Sequence, residues 1–198
     1  MFGINEKPKS DGKKLEPVIR YDIQCMSIGF LTDEKTPMIW RGPMVTSAIK
    51  TFTQQVNWKD LDFIIVDMPP GTGDTQLTFS QGIEMNGAII VSTPQEVALL
   101  DVKRGIAMFD KLGVKILGLI DNMSSFTGDD GKKYPIFGEG AVKRTAEEFD
   151  KEFLAEIPID PDVGKFGDQG KPIVESNPNN KISQIYINLA KKIKSIYF

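Results

Sequence analysis

The sequence contains no histidine and only one cysteine, Cys25. The lack of histidine excludes an imidazole base, and a zinc or iron-sulfur site made by one chain would lack the usual nitrogen and sulfur ligands. A lone cysteine also excludes a disulfide framework within the chain. Because Cys25 lies between apolar neighbours, we expect a buried thiol, which fits a reducing compartment.

Strong charge imbalance and long apolar runs are missing as well. The formal net charge is -3, so no global attraction to nucleic acid or to an anionic membrane follows. The polar N-terminus lacks the apolar core of a signal peptide, and no apolar run approaches the length of a membrane span. We therefore expect a soluble cytoplasmic protein that binds neither nucleic acid nor membrane.

The length and the apolar content indicate one packed domain. The chain has 198 residues, of which 40% are hydrophobic, which is enough for one full core and too little for two large ones. Residues 1–18 read as a polar lead-in, with a loop or disorder from residue 5 to 17. We expect a single domain over residues 19–198.

Short apolar runs alternate with helical patterns along the rest of the chain. Continuous runs rich in β-branched residues suit strands that are covered on both faces. The predicted strands are 23–31, 63–66, 88–93, 115–120 and 153–159. The predicted helices are 44–56 after Gly42-Pro43, 95–113, 141–150 and Lys181–Ile196. This alternation predicts a mostly parallel α/β sheet flanked by helices.

The most informative stretch is LDFIIVDMPPGTGD, residues 61–74, in which an apolar run leads directly into Asp67. Ligands of parallel sheets collect beyond the carboxyl ends of the strands. An aspartate there can hold magnesium directly or through water, while backbone NH groups of residues 71–73 can face a phosphate. The alternative is that Asp67 only caps a loop and PPGTG is an ordinary turn.

The string DMPPGTGD, residues 67–74, resembles the switch II segment of Mrp-type iron-sulfur cluster carrier ATPases. These belong to the MinD, ParA and nitrogenase-iron-protein superfamily of deviant P-loop NTPases. Further blocks resemble the family in family order, and together they cover nearly the whole chain from about residue 20. They are MSIGFL at 26–31, WRGPM at 40–44, STPQEVALLDVKRGIAMF at 92–109, DNMS at 121–124 and IPIDPDV at 157–163.

The resemblance implies a P-loop NTPase-like fold and a homodimer that passes 4Fe-4S clusters to iron-sulfur apoproteins, coupled to binding and hydrolysis of ATP with magnesium. It implies that Asp67 is the catalytic Walker B carboxylate on the magnesium side and that Gly71 lies in the switch that senses the γ-phosphate. Asn122 resembles the residue that reads the adenine edge, and Pro158 and Asp160 fall where the family lines the other side of the base. Alternatively, Asn122 caps a turn and Asp160 caps the following helix.

The sequence departs from the family at the phosphate-binding loop. No part of it matches GxxxxGK[ST] or the deviant form, so we do not expect tight ATP binding. The resemblance implies a shortened version of a longer protein, missing a first strand that would pair beside residues 63–66. Without that strand the sheet would have an open edge, so we expect marginal stability, self-association or dependence on the missing piece.

The second departure concerns the cluster ligands. Where the family commonly has a CxxC after its NMS motif, this chain has Gly128 and Gly131, with Asp129 and Asp130 between them. We expect a solvated hairpin tip rather than a weak site for a hard cation. No cluster cysteines are present, and Cys25 is a poor substitute. The alternative function is therefore a non-catalytic scaffold or truncated paralogue that keeps the fold without ATPase activity or cluster binding.

Overall fold

The computed structural model describes residues 1–31, 42–68, 80 and 82–198. Contacts divide the chain into two compact units. The N-terminal unit comprises Ile4–Glu84, and the C-terminal unit comprises Met85–Phe198 together with Met1–Gly3. The prediction of one domain over residues 19–198 stays a prediction. No helix in the described ranges is long and apolar enough to cross a membrane.

The described part of the N-terminal unit contains a small antiparallel hairpin and a long helix. Strand β1 (Val18–Arg20) pairs with β2 (Ile23–Cys25), and the turn between them places Tyr21 and Asp22 at positive φ. Helix α1 spans Gly42–Gln54, which confirms the helix predicted after Gly42-Pro43. Ile49 of this helix is buried and packs against Met68 and Ile83.

Of the two strands predicted in this unit, the first is too long and the second does not form. The strand predicted for 23–31 ends at Cys25, because the Ser27 hydroxyl accepts from the Gly29 amide and starts a 3-10 turn over Ile28–Phe30. Residues 63–66 have irregular backbone, and Ile65 is 93% exposed. An apolar run becomes a strand only when a neighbouring strand takes its backbone hydrogen bonds. The described residues include no strand at 63–66.

The C-terminal unit is built on a parallel sheet with its longest strand in the centre. Strand β3 (Ala88–Ser92) and strand β6 (Phe153–Ile159) each pair in parallel with β4 (Ile116–Thr127). The short β5 (Lys133–Tyr134) pairs antiparallel with the end of β4 and closes a hairpin. The mostly parallel sheet predicted from the sequence is confirmed.

Helices cover both faces of this sheet, as predicted. They are α2 (Glu96–Lys111), α3 (Ala141–Glu148), α4 (Pro161–Asp168), α5 (Ile173–Ser176) and α6 (Lys181–Tyr197). Leu119 belongs to the cluster formed with α2 and α3, whereas Ile120 belongs to the cluster formed with α4 to α6. Successive residues of a strand point to opposite faces, so the two clusters are the two sides of one sheet.

Candidate functional site

Three of the predicted site residues lie together at the carboxyl edge of the sheet in the C-terminal unit. Asn122 of β4 is the register partner of Ile157 of β6, and neighbouring strands lie about 4.8 Å apart. Pro158 follows Ile157, and Asp160 comes directly after the last residue of β6. This is the edge at which parallel α/β sheets bind ligands.

The turn after Asn122 has an unusual backbone. Asn122 is half-buried and lies two residues after Ile120, so alternation places it on the face covered by α4 to α6. Met123 has a φ of 57°, a left-handed conformation that costs a non-glycine residue about 1–2 kcal/mol. The β4–β6 register is irregular between Asn122 and Phe126. Such strained positions concentrate where a binding site needs a particular geometry.

Asp160 has a capping role in the structure, which is the alternative raised from the sequence. Its Oδ1 accepts a hydrogen bond from the backbone NH of Asp162 at 2.9 Å and so caps the first turn of α4. Its Oδ2 accepts from the Nδ2 amide of Asn180 at 3.2 Å. Asn180 in turn caps α6 by accepting from the Ile182 amide at 2.7 Å. The sequence reasoning missed Asn180, although an asparagine directly before a helical pattern is a capping signal.

Asp121 is a second residue that the sequence reasoning missed. It is 2% exposed, and within the described residues its Oδ1 has no hydrogen-bond partner. Burial, together with the nearby charge of Glu156 on β6, raises the pKa of this carboxyl to about 6. The buried hydroxyl of Ser124 likewise lacks a partner in the described structure. An acidic residue directly after the apolar run of β4 was the available signal.

The structure does not test the predicted roles of Asp67 and Gly71. Asp67 belongs to the N-terminal unit, where it is exposed on irregular backbone, and the next residue, Met68, packs against Ile49. Gly71 lies outside the described residues. The described ranges hold no group of three or more acidic, cysteine or histidine side chains that could bind a metal. The roles of Asp67 and Gly71 stay predictions.

Residues 128–131, which stand where the family has CxxC, lie at the tip of the predicted exposed hairpin. Phe126 pairs with Tyr134 across it. The Asp130 carboxylate accepts from the Tyr134 hydroxyl at 2.7 Å and from the Lys132 amide at 3.0 Å. The hydrogen bond from Tyr134 is the main reason why the pKa of Asp130 lies below its usual value. Both carboxylate oxygens of Asp130 therefore stabilise the hairpin itself.

Cys25 is half-buried rather than fully buried as predicted. Its Sγ lies 3.6 Å from the carbonyl oxygen of Ile23, and burial raises the pKa of the thiol. A raised pKa lowers the thiolate fraction at neutral pH, and the thiolate is the form that binds metals. The structure thus gives Cys25 no activation as a cluster ligand.

The sequence matches a known protein family over nearly its whole length. A family model described as ParA, NUBPL iron-transfer P-loop NTPase, matches residues 1–194. The chain is 45% identical over 195 residues to an iron-sulfur protein required for mitochondrial NADH dehydrogenase from Arabidopsis thaliana, covering 98% of this chain and 62% of that protein. It is 42% identical over 186 residues to an iron-sulfur cluster carrier protein from Aquifex aeolicus, covering 93% and 51%.

Another relative, the iron-sulfur cluster transfer protein NUBPL of Mus musculus, is 42% identical over 195 residues, with 98% of this chain and 61% of that protein covered. The chain thus spans between about half and two thirds of the length of these relatives. Among solved structures, an Archaeoglobus fulgidus nucleotide-binding protein in complex with ADP aligns with a TM-score of 0.71 and 37% identity, covering 83% of this chain and 65% of that one. The cell division ATPase MinD of Pyrococcus furiosus shares the fold, with a TM-score of 0.56.

Proposed function

This chain belongs to the family of NUBPL iron-transfer P-loop NTPases, and we propose that it takes part in passing iron-sulfur clusters to acceptor apoproteins. The named relatives include carriers and transfer proteins of such clusters. Because the chain spans only part of their length, the activity of the whole protein is carried over as a proposal. The cluster is cargo in this function and is not held permanently.

The observation that supports a nucleotide-linked role is the meeting of Asn122, Pro158 and Asp160 at one edge of the sheet. The amide of Asn122 has one acceptor oxygen and two donor hydrogens, which complements the mixed donor and acceptor edge of adenine. Pro158 follows Ile157, the register partner of Asn122, and so lies at the same edge of the sheet. We propose that this edge binds the base of an adenine nucleotide, as the ADP complex of the Archaeoglobus relative suggests.

The residues present fit the base end of a nucleotide better than its phosphate end. For Asp67, which belongs to the N-terminal unit, we propose from the family resemblance alone that it would hold magnesium directly or through water when a nucleotide is bound. The sequence contains no glycine-rich loop with lysine and serine or threonine to cradle the phosphates. We therefore propose that the described edge contributes recognition of the base.

The cluster needs ligands from outside one chain. A 4Fe-4S cluster is held by four thiolates, and each copy of this chain has Cys25 alone. We propose that carriage requires a homodimer together with thiolates of a partner or an acceptor. We also propose a cytoplasmic location, by analogy with the bacterial carriers among the relatives.

A non-catalytic scaffold is the second candidate function. It is favoured by the half-buried Cys25, whose pKa is raised, and by the exposed position of Asp67. Such a scaffold would bind acceptor proteins through the same fold but would take up neither nucleotide nor cluster. The two candidates differ in a direct binding measurement.

The test is titration of ADP into the chain, into Asn122→Ala and into Asn188→Ala. Asn188 is exposed on α6 and serves as the matched control. We expect the Asn122 variant to lose about tenfold in affinity, which corresponds to about 1.4 kcal/mol, and the control to bind like the wild type. Transfer of a reconstituted cluster to an apo-ferredoxin is measured in parallel. Binding of the apo-ferredoxin without ADP binding and without cluster transfer would favour the scaffold.

A further inference from the structure

We infer that Asn180 is a positioning residue for the proposed base site, which it shapes by holding the carboxylate of Asp160. This inference rests on the proposed function, since it concerns the wall of the same site. Asn180 lies 20 residues from Asp160 in sequence and outside every block that resembles the family. Its side-chain hydrogen bonds to Asp160 and to the start of α6 are the observations that support this role.

Asp160 and Asn180 together cap two helices and join them. Asp160 Oδ1 accepts from the Asp162 amide at 2.9 Å, while its Oδ2 accepts from Asn180 Nδ2 at 3.2 Å. Asn180 Oδ1 accepts from the Ile182 amide at 2.7 Å. The start of α4 is thereby tied to the start of α6 through one side-chain hydrogen bond, here called the clasp.

The α6 end of the clasp is firmly anchored. Ser183 is fully buried, and its hydroxyl lies 2.7 Å from the carbonyl oxygen of Asn177 and 3.1 Å from that of Ile173. The backbone NH of Asn180 also donates to the Asn177 carbonyl at 3.1 Å. Asn180 therefore presents its amide from a segment fixed by buried hydrogen bonds, and it can hold the turn on the Asp160 side in place.

The clasp changes the role of Asp160. Because one carboxylate oxygen is engaged by α4 and the other by Asn180, the side chain serves to fix its own backbone. The segment from Pro158 to Asp160, which ends the strand next to Asn122, is then preorganised, which lowers the ordering cost of binding a base. Loosening the clasp is expected to weaken base recognition without removing any group that touches the base.

A charge swap tests the pair, because asparagine and aspartate both cap helices well. In Asn180→Asp two carboxylates face each other, so we expect about tenfold weaker ADP binding. In the double variant Asp160→Asn with Asn180→Asp, the amide at position 160 donates to the carboxylate at position 180. We expect this variant to recover ADP affinity to within about twofold of the wild type.

Two further readouts separate positioning from a structural effect. The preference for ADP over GDP should fall in Asn180→Asp and return in the double variant. Hydrogen exchange of the Asp162 amide, measured without nucleotide, should accelerate in the single variant and slow again in the double one. A purely structural role would shift the melting temperature and leave the ADP to GDP ratio alone.

The outcomes distinguish this inference from the proposed function. If the wild type binds ADP and Asn180→Asp keeps both affinity and base preference, the inference is wrong and the base site stands. A double variant that stays as weak as the single one also overturns the pairing. If the wild type shows no ADP binding, the base site is wrong and the positioning role of Asn180 is withdrawn with it.

Discussion

Asp121 and Asn122 are neighbours in sequence, but the alternation of β4 directs their side chains to opposite faces of the sheet. Asn122 reaches the face of the proposed base site, whereas Asp121 is buried on the face of α2 and α3, as is Leu119. Its carboxyl group is held next to Glu156 in a setting that favours the protonated form. This residue therefore makes stability depend on pH.

Asp121→Asn should stabilise the protein above pH 6 and have less effect in acid. The pKa of Asp121 is raised from 3.8 to about 6 in the folded state. The protonated carboxyl thus stabilises the fold fully below pH 3.8, and this stability is lost as the pH rises through 6. The amide removes the ionisation cost, so we expect a gain of up to about 3 kcal/mol at pH 8.

Urea unfolding followed by circular dichroism at pH 5 and pH 8 measures this gain. The variant Glu156→Gln is the control: it removes only the smaller cause of the shift, so its gain at pH 8 should be smaller. Equal stability of Asp121→Asn and the wild type at both pH values would contradict the assignment of a buried carboxyl whose ionisation at pH 8 costs stability.

At the scale of elements, the pairing of β4 with β6 positions the candidate site, and Gly118 permits this pairing. Gly118 has a φ of 151°. A methyl group there would lie 2.5 Å from the carbonyl oxygen of Glu152 and 2.6 Å from the Leu154 side chain. Both distances are far below van der Waals contact, so the two strands can approach only because residue 118 has no side chain.

Gly118→Ala is expected to destabilise the C-terminal unit by about 1–3 kcal/mol, since either β6 or the β4 backbone must shift. Gly105→Ala is the matched control. Gly105 lies inside α2, with open space where a methyl group would be placed, so this variant should gain about 0.5–1 kcal/mol. Thermal unfolding followed by circular dichroism compares the two. The explanation fails if both alanine variants shift stability in the same direction.

Elements with a clear local pattern of apolar residues were predictable from the sequence. Strands β3 and β6 and helix α6 lie where apolar runs and helical spacing placed them, because such patterns are local. Residues 63–66 show the limit: the run is as apolar as β3, yet a strand needs a neighbour. The contact between Asp160 and Asn180 could not be predicted in the same way, since it joins residues that lie 20 positions apart in the sequence.

At the scale of the whole molecule, the apolar surface at residues 63–66 is the feature with the broadest consequence. Ile64 and Ile65 are both exposed in the described structure, and Val66 is partly exposed as well. Apolar side chains exposed in a row favour association with other surfaces. The expectation that the isolated chain associates with itself or depends on a further segment stays a prediction.

Ile65→Lys should reduce self-association, because a charged side chain then replaces the most exposed apolar one in the segment. Val97→Lys on α2 is the control, as Val97 is exposed outside this segment. Sedimentation velocity over a range of concentrations measures the effect. If the wild type is monomeric throughout, or if both lysine variants associate alike, the segment has no such role.

Binding of an adenine base at the carboxyl edge of β4 and β6 can be measured by nuclear magnetic resonance titration of the labelled chain with ADP, and separately with tripolyphosphate. We expect ADP to shift the amide signals of Asn122 and of residues 157–162, while tripolyphosphate leaves them in place. ADP-dependent shifts that avoid both strand ends would contradict it.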